Sequence, residues 1–124
     1  MLTFNLKKQW FEKIKSGEKT HEYKEEKYYW TSRFVEEFYE PKNKEEKKGY
    51  IEFFLTMLRR AGFVFKDVTK THKICLMNGM EKEEKRPRLY GKLKSLKIVN
   101  GLQTDLKINK PVYDIEFELI RGEE

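Results

Sequence analysis

Several features that would narrow the function of this chain are scarce in its sequence. Cys75 is the only cysteine among 124 residues, so no internal disulfide can form, which is typical of a reducing compartment. No apolar run approaches the roughly 20 residues that span a membrane. The N-terminus also lacks a basic stretch followed by an apolar one. The sequence therefore predicts a soluble, cytoplasmic protein with no membrane association.

Side chains that bind metals are also scarce. His21 and His72 are the only histidines, and with Cys75 they match no zinc-site spacing, which requires three or four ligands. Cys75 lies in an apolar run, so we expect a small buried side chain there and not a nucleophile. The sequence predicts no metal site, and it indicates no cofactor.

Charge, in contrast, is abundant. Charged residues make up 39% of the chain, and 27 lysines and arginines against 21 acidic residues leave a net charge of +6. A positive surplus favours a polyanionic partner, because basic patches attract phosphate groups and release their counterions. A chain of this length corresponds to about one domain with one modest core. We therefore expect residues 1–124 to form a single domain and the protein to be a monomer.

The spacing of apolar residues predicts a fold of the α+β class that is mainly β. Helical periodicity predicts three helices, over 9–15, 29–39 and 46–61. Alternation predicts about six strands, over 2–6, 20–24, 63–65, 74–77, 89–99 and 113–119. A change of parity near Ser95 indicates a β-bulge, which is common where a sheet curls. We expect a small mixed β-barrel with three flanking helices.

The candidate site is the segment 16–24, which joins the first helix to a short strand. Gly17 is expected to end the helix in the left-handed conformation that glycine adopts at little cost. Thr20, Glu22 and Lys24 then alternate along one face of the strand, and Lys19 can lean over the same face. Three charged groups would converge there, which a fold seldom requires. The alternative is an exposed ladder of ion pairs worth under about 1 kcal/mol.

Aromatic side chains beside cations follow this segment. Tyr29 lies near Lys27 and Arg33 in the sequence, a combination typical of bases that stack on aromatic rings in a positive field. We expect Tyr29 to be the exposed ring and Arg33 to reach the same cleft. Trp30 has a plainer interpretation, as the residue that anchors its helix in the core.

The pattern Gly17-x-Lys19-x-x-Glu22-x-Lys24 resembles the Gly-x-Lys-x-x-Glu-x-Arg signature of ASCH domains, which belong to the PUA-like β-barrel superfamily. The similarity is to a small, single-domain, often phage-associated branch, and it covers most of the chain except 40–66, which looks like a helical insertion. Further matching residues are Trp10, Phe11, Ser16, Glu18, Tyr23, Lys27, Tyr29, Trp30, Arg33 and the strand 74–79 that ends in Asn78-Gly79.

The resemblance implies a PUA-like barrel whose cleft is lined by the motif and binds RNA or a modified nucleoside. The contacting residues that it implies here are Gly17, Lys19, Glu22, Lys24, Lys27, Tyr29, Arg33 and Asn78. Two departures affect the ligand more than the fold. Lys24 replaces the signature arginine and loses its planar, bidentate fork. The segment 103–106 stands where a tryptophan–glycine pair is expected after Gly101.

Enzymatic alternatives follow from the same resemblance. Some ASCH-like proteins cleave the acyl amide of N4-acetylcytidine, with a threonine where this chain has Glu22 and a lysine matched by Lys19. Here Glu22 would act as a general base on water if burial raised its pKa, with Lys19 stabilising the oxyanion and Thr20 as a substitute hydroxyl. A ribonuclease is the other enzymatic interpretation. A third hypothesis makes the helix around Phe53 a protein-binding surface.

Overall fold

The computed structural model describes residues 1–79 and 86–121. The elements in chain order are β1 (Leu2–Leu6), α1 (Lys8–Lys15), β2 (His21–Glu25), α2 (Tyr28–Tyr39), α3 (Lys44–Leu58), β3 (Lys73–Asn78), β4 (Arg88–Asn100) and β5 (Pro111–Leu119). The three predicted helices are confirmed, although α3 begins and ends earlier than the predicted 46–61. No helix in these two ranges is long and apolar enough to cross a bilayer.

The strands form one curled sheet in the order β1-β3-β4-β5-β2, so β1 and β2 are its two edges. β1 pairs with β3 in parallel, and every other neighbouring pair is antiparallel. The pairing of β4 with β5 shifts between Leu93 and Ser95, which confirms the predicted bulge. An extra residue there bends the strand and helps the sheet to curl into a half-barrel. The fold is of the predicted α+β class.

The strand predicted at 63–65 is the main difference from the sequence analysis. Only Phe65 pairs with the sheet, through an isolated bridge in which it exchanges backbone hydrogen bonds of 2.8 and 3.0 Å with Leu96. Its ring also stacks on Phe38 at 4.5 Å. The alternation of two aromatic residues therefore belongs to a loop that is anchored in the core, and the strand predicted there is wrong. The described ranges contain five strands where about six were expected.

The core fills the concave face of the sheet and is covered by helices. Phe4, Ile115 and Tyr113 are fully buried on that face, and Phe34 and Phe54 bring the rings of α2 and α3 onto it. Phe34 meets Tyr113 edge to face with ring centroids 4.8 Å apart. Because this face is apolar almost throughout, a charged side chain on it is unusual.

Candidate functional site

Two of the predicted site residues lie on the concave, otherwise apolar face of the sheet. Glu22 pairs with Ile115 and Lys24 pairs with Tyr113 across the antiparallel β2–β5 ladder. Paired residues share a face of a sheet, so both charged side chains point to the side where Ile115 and Tyr113 are buried. Glu22 is only 7% exposed. The edge strand β2 therefore carries a buried carboxyl group toward the open side of the half-barrel.

A cavity of about 380 Å³ lies between the two edge strands, and we name it the seam cavity. Its lining includes Asn5 and Leu6 of β1, Glu22 and Lys24 of β2, Trp10 of α1 and Asp105 of the loop before β5. β1 and β2 are not hydrogen-bonded to each other, so the sheet does not close here. The cavity is the gap that this missing pairing leaves.

Glu22 has few protein partners for a buried carboxyl group. Its Oε1 accepts a hydrogen bond of 2.9 Å from the backbone N–H of Tyr23. No cation among the described residues lies within salt-bridge distance. Burial raises the pKa of Glu22, although Lys24, the Tyr23 N–H and Lys19 each oppose that shift. A carboxyl group with a raised pKa on a cavity wall is typical of a functional site.

The ammonium group of Lys19 already has partners. It forms an ion pair with Asp105 and lies 5.3 Å from the ring centroid of Trp10 and 4.8 Å from that of Tyr23. Its side chain is only 9% exposed. Lys19 lines the cavities next to the seam cavity but does not line the seam cavity itself. Its geometry is that of a positioning residue that holds Asp105 and the two rings.

Asp105 is the site residue that the sequence analysis missed. It lies in the segment 103–106, which the sequence analysis identified only as a departure from the family pattern. Gly101 shapes this loop, because a Cβ atom there would lie 2.5 Å from the carbonyl oxygen of Ile108. Asp105 and Lys19 are 86 positions apart, and no local pattern links them. Only the folded chain shows that the loop completes the site.

Lys24 and Trp30 connect the seam cavity to the core. The Lys24 Nζ lies 5.5 Å from the Trp30 ring centroid, and that ring stacks on the buried Phe4 at 5.1 Å. The position of Trp30 agrees with the plainer interpretation, in which it anchors α2 in the core. Lys24 is half-buried, and its positive charge lowers the pKa of Glu22 against the opposing effect of burial.

The predicted aromatic and basic residues in and just before α2 lie outside the seam cavity. The side chain of Lys27 is 65% exposed, with Nζ 3.4 Å from Glu25 Oε2. Tyr29 is 61% exposed, as expected, and meets Trp30 edge to face. Arg33 is half-buried on the same helix. None of Lys27, Tyr29 and Arg33 is part of the lining of the seam cavity.

The remaining predicted residues, Gly17, Thr20 and Asn78, lie outside the lining of the seam cavity. Gly17 has the expected left-handed backbone, with φ of 86°, and lines a cavity next to Thr20. Thr20 lies before β2 and is not on the seam cavity, so it does not share the surroundings of Glu22. Asn78 is 4% exposed and pairs by register with Leu6 at the end of β1.

Both histidines are bound to carboxylates. His72 Nε2 lies 2.6 Å from Asp67 and its Nδ1 lies 3.3 Å from Glu37, while His21 Nδ1 lies 2.6 Å from Asp114. In residues 1–79 and 86–121, no group of three or more His, Cys, Asp or Glu side chains has the geometry to hold a metal ion. Cys75 is buried, and burial raises the pKa of its thiol.

No protein-family model, curated protein or solved structure matches this chain. The resemblance to ASCH domains therefore stays a prediction.

Proposed function

We propose that the seam cavity binds a nucleobase, either of RNA or of a free or modified nucleoside. The observation that carries this proposal is Glu22, a buried carboxyl group on the wall of a cavity of about 380 Å³. Its Oε1 has a backbone partner, and no buried side-chain oxygen or nitrogen among the described residues lacks one, so a partner for Oε2 has to come from the cavity side. A ligand in the cavity can supply that partner in place of water.

The oxygens of Glu22 match the edge of an amino-bearing base. Oε1 accepts the Tyr23 N–H, and Oε2 has no hydrogen-bond donor among the described residues. A carboxylate accepts hydrogen bonds from an exocyclic amino group such as that of cytosine. Lys24 on the same wall can donate to the neighbouring carbonyl oxygen of the base.

The remaining walls suit a flat heterocycle. Trp10 and Tyr23 supply aromatic surface, and the side-chain amides of Asn5 and Gln9 supply further donors and acceptors. Stacking on aromatic rings combined with hydrogen bonds to base edges is how proteins recognise unpaired bases. The cavity volume also falls in the range of about 300–1,000 Å³ that is common for small-molecule sites.

Calorimetric titration with cytidine and uridine tests the proposal. Uridine lacks the exocyclic amino group, so we expect cytidine to bind at least about tenfold more tightly, since one good base-edge contact contributes about 1–3 kcal/mol. Glu22→Gln should weaken cytidine binding about tenfold and abolish the preference, because it replaces an acceptor oxygen with a donor. Glu45→Gln, which removes the same charge from the exposed surface of α3, is the matched control.

Two results would contradict the proposal. One is the absence of heat of binding for both nucleosides at millimolar concentration. The other is equal weakening of cytidine binding by the Glu22 and Glu45 substitutions, which would mean that overall charge and not the cavity governs affinity.

Hydrolysis of an N4-acylated cytidine is a second candidate, favoured by the raised pKa of Glu22. A carboxylate with a pKa nearer neutrality is a better general base. Glu22 would take a proton from water as the water oxygen attacks the acyl carbon, and would return it to the departing N4 amine. The products would be a carboxylic acid and cytidine. Thr20 is away from this cavity and takes no part.

Incubation with N4-acetylcytidine separates the two candidates. Release of cytidine that is abolished by Glu22→Gln would establish hydrolysis, and binding without turnover would leave the protein as a binding module. The ribonuclease hypothesis stays a prediction, which the turnover of a structured RNA would test.

A further inference from the structure

A second concave surface, which we name the basic groove, lies near the C-terminal end of α1, where β4 begins and β5 ends. The seam cavity is at the other end of this helix. The basic groove encloses about 570 Å³, and its lining contains the four cations Lys15, Arg86, Arg88 and Arg121. Among the described residues its lining contains no carboxylate. The described lining is therefore basic, in a chain that has 27 basic and 21 acidic residues.

The described contacts of two of these cations are with neutral groups. Arg121 Nη2 donates to the backbone carbonyl of Lys15 at 3.3 Å, and Arg88 Nε lies 3.1 Å from the sulfur of Met77. Both partners are neutral acceptors. Neither Arg88 nor Arg121 forms an ion pair with a described residue. Both guanidinium groups belong to residues that line the groove, and each has further N–H donors that can bind an anion.

An aromatic ring lies in the same groove. Tyr90 is half-buried on its wall, and Lys73 Nζ lies 4.7 Å from the centroid of the Tyr90 ring. Cations that follow a backbone, combined with aromatic rings that stack on bases, are characteristic of proteins that bind single-stranded nucleic acid. A site for a lone small anion would not require the ring.

The basic groove and the seam cavity are the ends of one path around α1. Two smaller cavities, of about 360 and 260 Å³, lie between them. Neighbouring cavities share lining residues: Leu119 and Arg121 at the groove, then Lys19 and Thr20, then Trp10, Tyr23 and Asp105 at the seam cavity. A polymer can therefore contact both ends, whereas a free nucleoside occupies only one.

We propose that the basic groove binds the phosphodiester backbone of a single nucleic-acid strand that also places one base in the seam cavity. The part of this inference that concerns the base rests on the proposed function, and the phosphate contacts stand on the groove alone. The natural ligand is then a polynucleotide and not a free nucleoside. The basic groove would then account for part of the positive charge surplus of the chain, on a surface outside the motif 17–24.

The test compares variants that remove equal charge inside and outside the groove. The groove variant carries Arg88→Gln and Arg121→Gln, and the control carries Lys48→Gln and Lys66→Gln at exposed positions outside it. The probe is a fluorescein-labelled oligocytidylate of about 12 nucleotides, near the upper range of single-strand site sizes. Its affinity is measured by anisotropy between about 50 and 200 mM salt.

We expect the groove variant to bind the oligonucleotide at least about tenfold more weakly at the lowest salt concentration. Its log–log salt slope should be smaller in magnitude by about 1.4, or about 0.7 for each phosphate that is no longer neutralised. The control should keep the wild-type slope, and both variants should bind cytidine as the wild type does. Lys15→Gln alone should change the slope by about half as much, and it provides a second test if the double variant folds poorly.

The inference is overturned if the groove variant and the control have equal affinity and slope, or if the wild type does not bind the oligonucleotide. Equally tight binding of a polyglutamate peptide of the same length would overturn the choice of nucleic acid as the occupant. A groove-dependent slope in a protein that does not bind cytidine would support the phosphate site while contradicting the proposed function. The two proposals thus fail separately.

Discussion

His72 and Glu22 are both buried ionisable side chains, 4% and 7% exposed, but their surroundings differ. Both ring nitrogens of His72 meet carboxylates, at 2.6 Å from Asp67 and 3.3 Å from Glu37. Glu37 also lies 3.1 Å from the amino group of Met1. Among the described residues, Glu22 has one hydrogen-bond donor, the backbone N–H of the neighbouring Tyr23, and it lines a cavity.

The difference separates a polar cluster that is closed within the protein from a carboxyl group that lines a cavity. The His72 cluster ties α2, the segment before β3 and the N-terminus together, and each of its groups finds a partner within the protein. Hydrogen bonds from Thr69 and His72 lower the pKa of Asp67, whereas burial raises that of Glu22. A fully satisfied polar network rigidifies the core, and the described contacts of His72 form such a network.

The largest effect on stability is expected at His72. His72→Ala removes two buried hydrogen bonds and the edge-to-face contact with Phe38, so the free energy of unfolding should fall by about 3 kcal/mol in urea titrations. His21→Ala, at a half-buried pair with Asp114, should cost under about 1 kcal/mol. Equal losses for the two variants would remove the contrast, as would loss of cytidine affinity in folded His72→Ala.

The next largest effect concerns the two motif lysines. Lys24→Gln should weaken cytidine binding about tenfold, or about 1.4 kcal/mol, because Lys24 lines the seam cavity. Lys19→Gln should weaken it only about threefold, since the charge of Lys19 is compensated by Asp105. Calorimetry on both variants measures the ratio. The reverse order would mean that Lys19 contacts the ligand directly.

A smaller effect, of opposite sign, is expected for the stability of Glu22→Gln. The folded-state pKa of Glu22 is raised, so its cost to stability is absent below the unfolded value and grows as the pH rises through the folded one. The substitution should therefore stabilise the protein by about 1 kcal/mol at pH 7 and by nothing near pH 4.

Asp67→Asn supplies the matched comparison in the same urea titrations. The folded-state pKa of Asp67 is lowered, so its contribution is present above the unfolded value and disappears as the pH falls through the folded one. This substitution should be destabilising at pH 7 and progressively less so in acid. The same pH trend for both substitutions would refute the assignment of opposite roles.

The smallest effects are expected at Lys27, just before α2, and at Tyr29 in its first turn. Lys27→Gln and Tyr29→Ala alter exposed side chains outside the seam cavity, so each should change cytidine affinity by less than about 0.5 kcal/mol. Their stability should be unchanged within the same limit. A tenfold loss of cytidine affinity in either variant would extend the site onto α2 and bring it nearer to the pattern that the family resemblance implies.

The features that were predicted correctly from the sequence are those that local patterns determine. The left-handed backbone of Gly17, the bulge near Ser95 and the three helices follow from turn chemistry and periodicity, and the structure confirms them. The strand at 63–65 was wrong, because two alternating aromatic residues also occur in a loop that is anchored in the core. Local pattern placed Glu22 and Lys24 on one face but did not show that this face is the concave one.

The features that the sequence did not predict depend on contacts between distant segments of the chain. Asp105 reaches Lys19 through a loop whose course is set by Gly101 and closed by backbone contacts, which spacing does not reveal. The basic groove likewise combines α1, the start of β4 and the end of β5, three segments that only the folded sheet brings together. Thr20 lies just before β2, where its carbonyl accepts a hydrogen bond from the Phe117 N–H, but it lines a neighbouring cavity and not the seam cavity.

The most direct test of the seam cavity is an amide correlation NMR spectrum of the protein during titration with cytidine. We expect the shifted amides to include those of Leu6, Glu22, Lys24 and Asp105, while that of His72 does not move. Saturable shifts restricted to α2 and the His72 cluster, with those four amides unchanged, would contradict it.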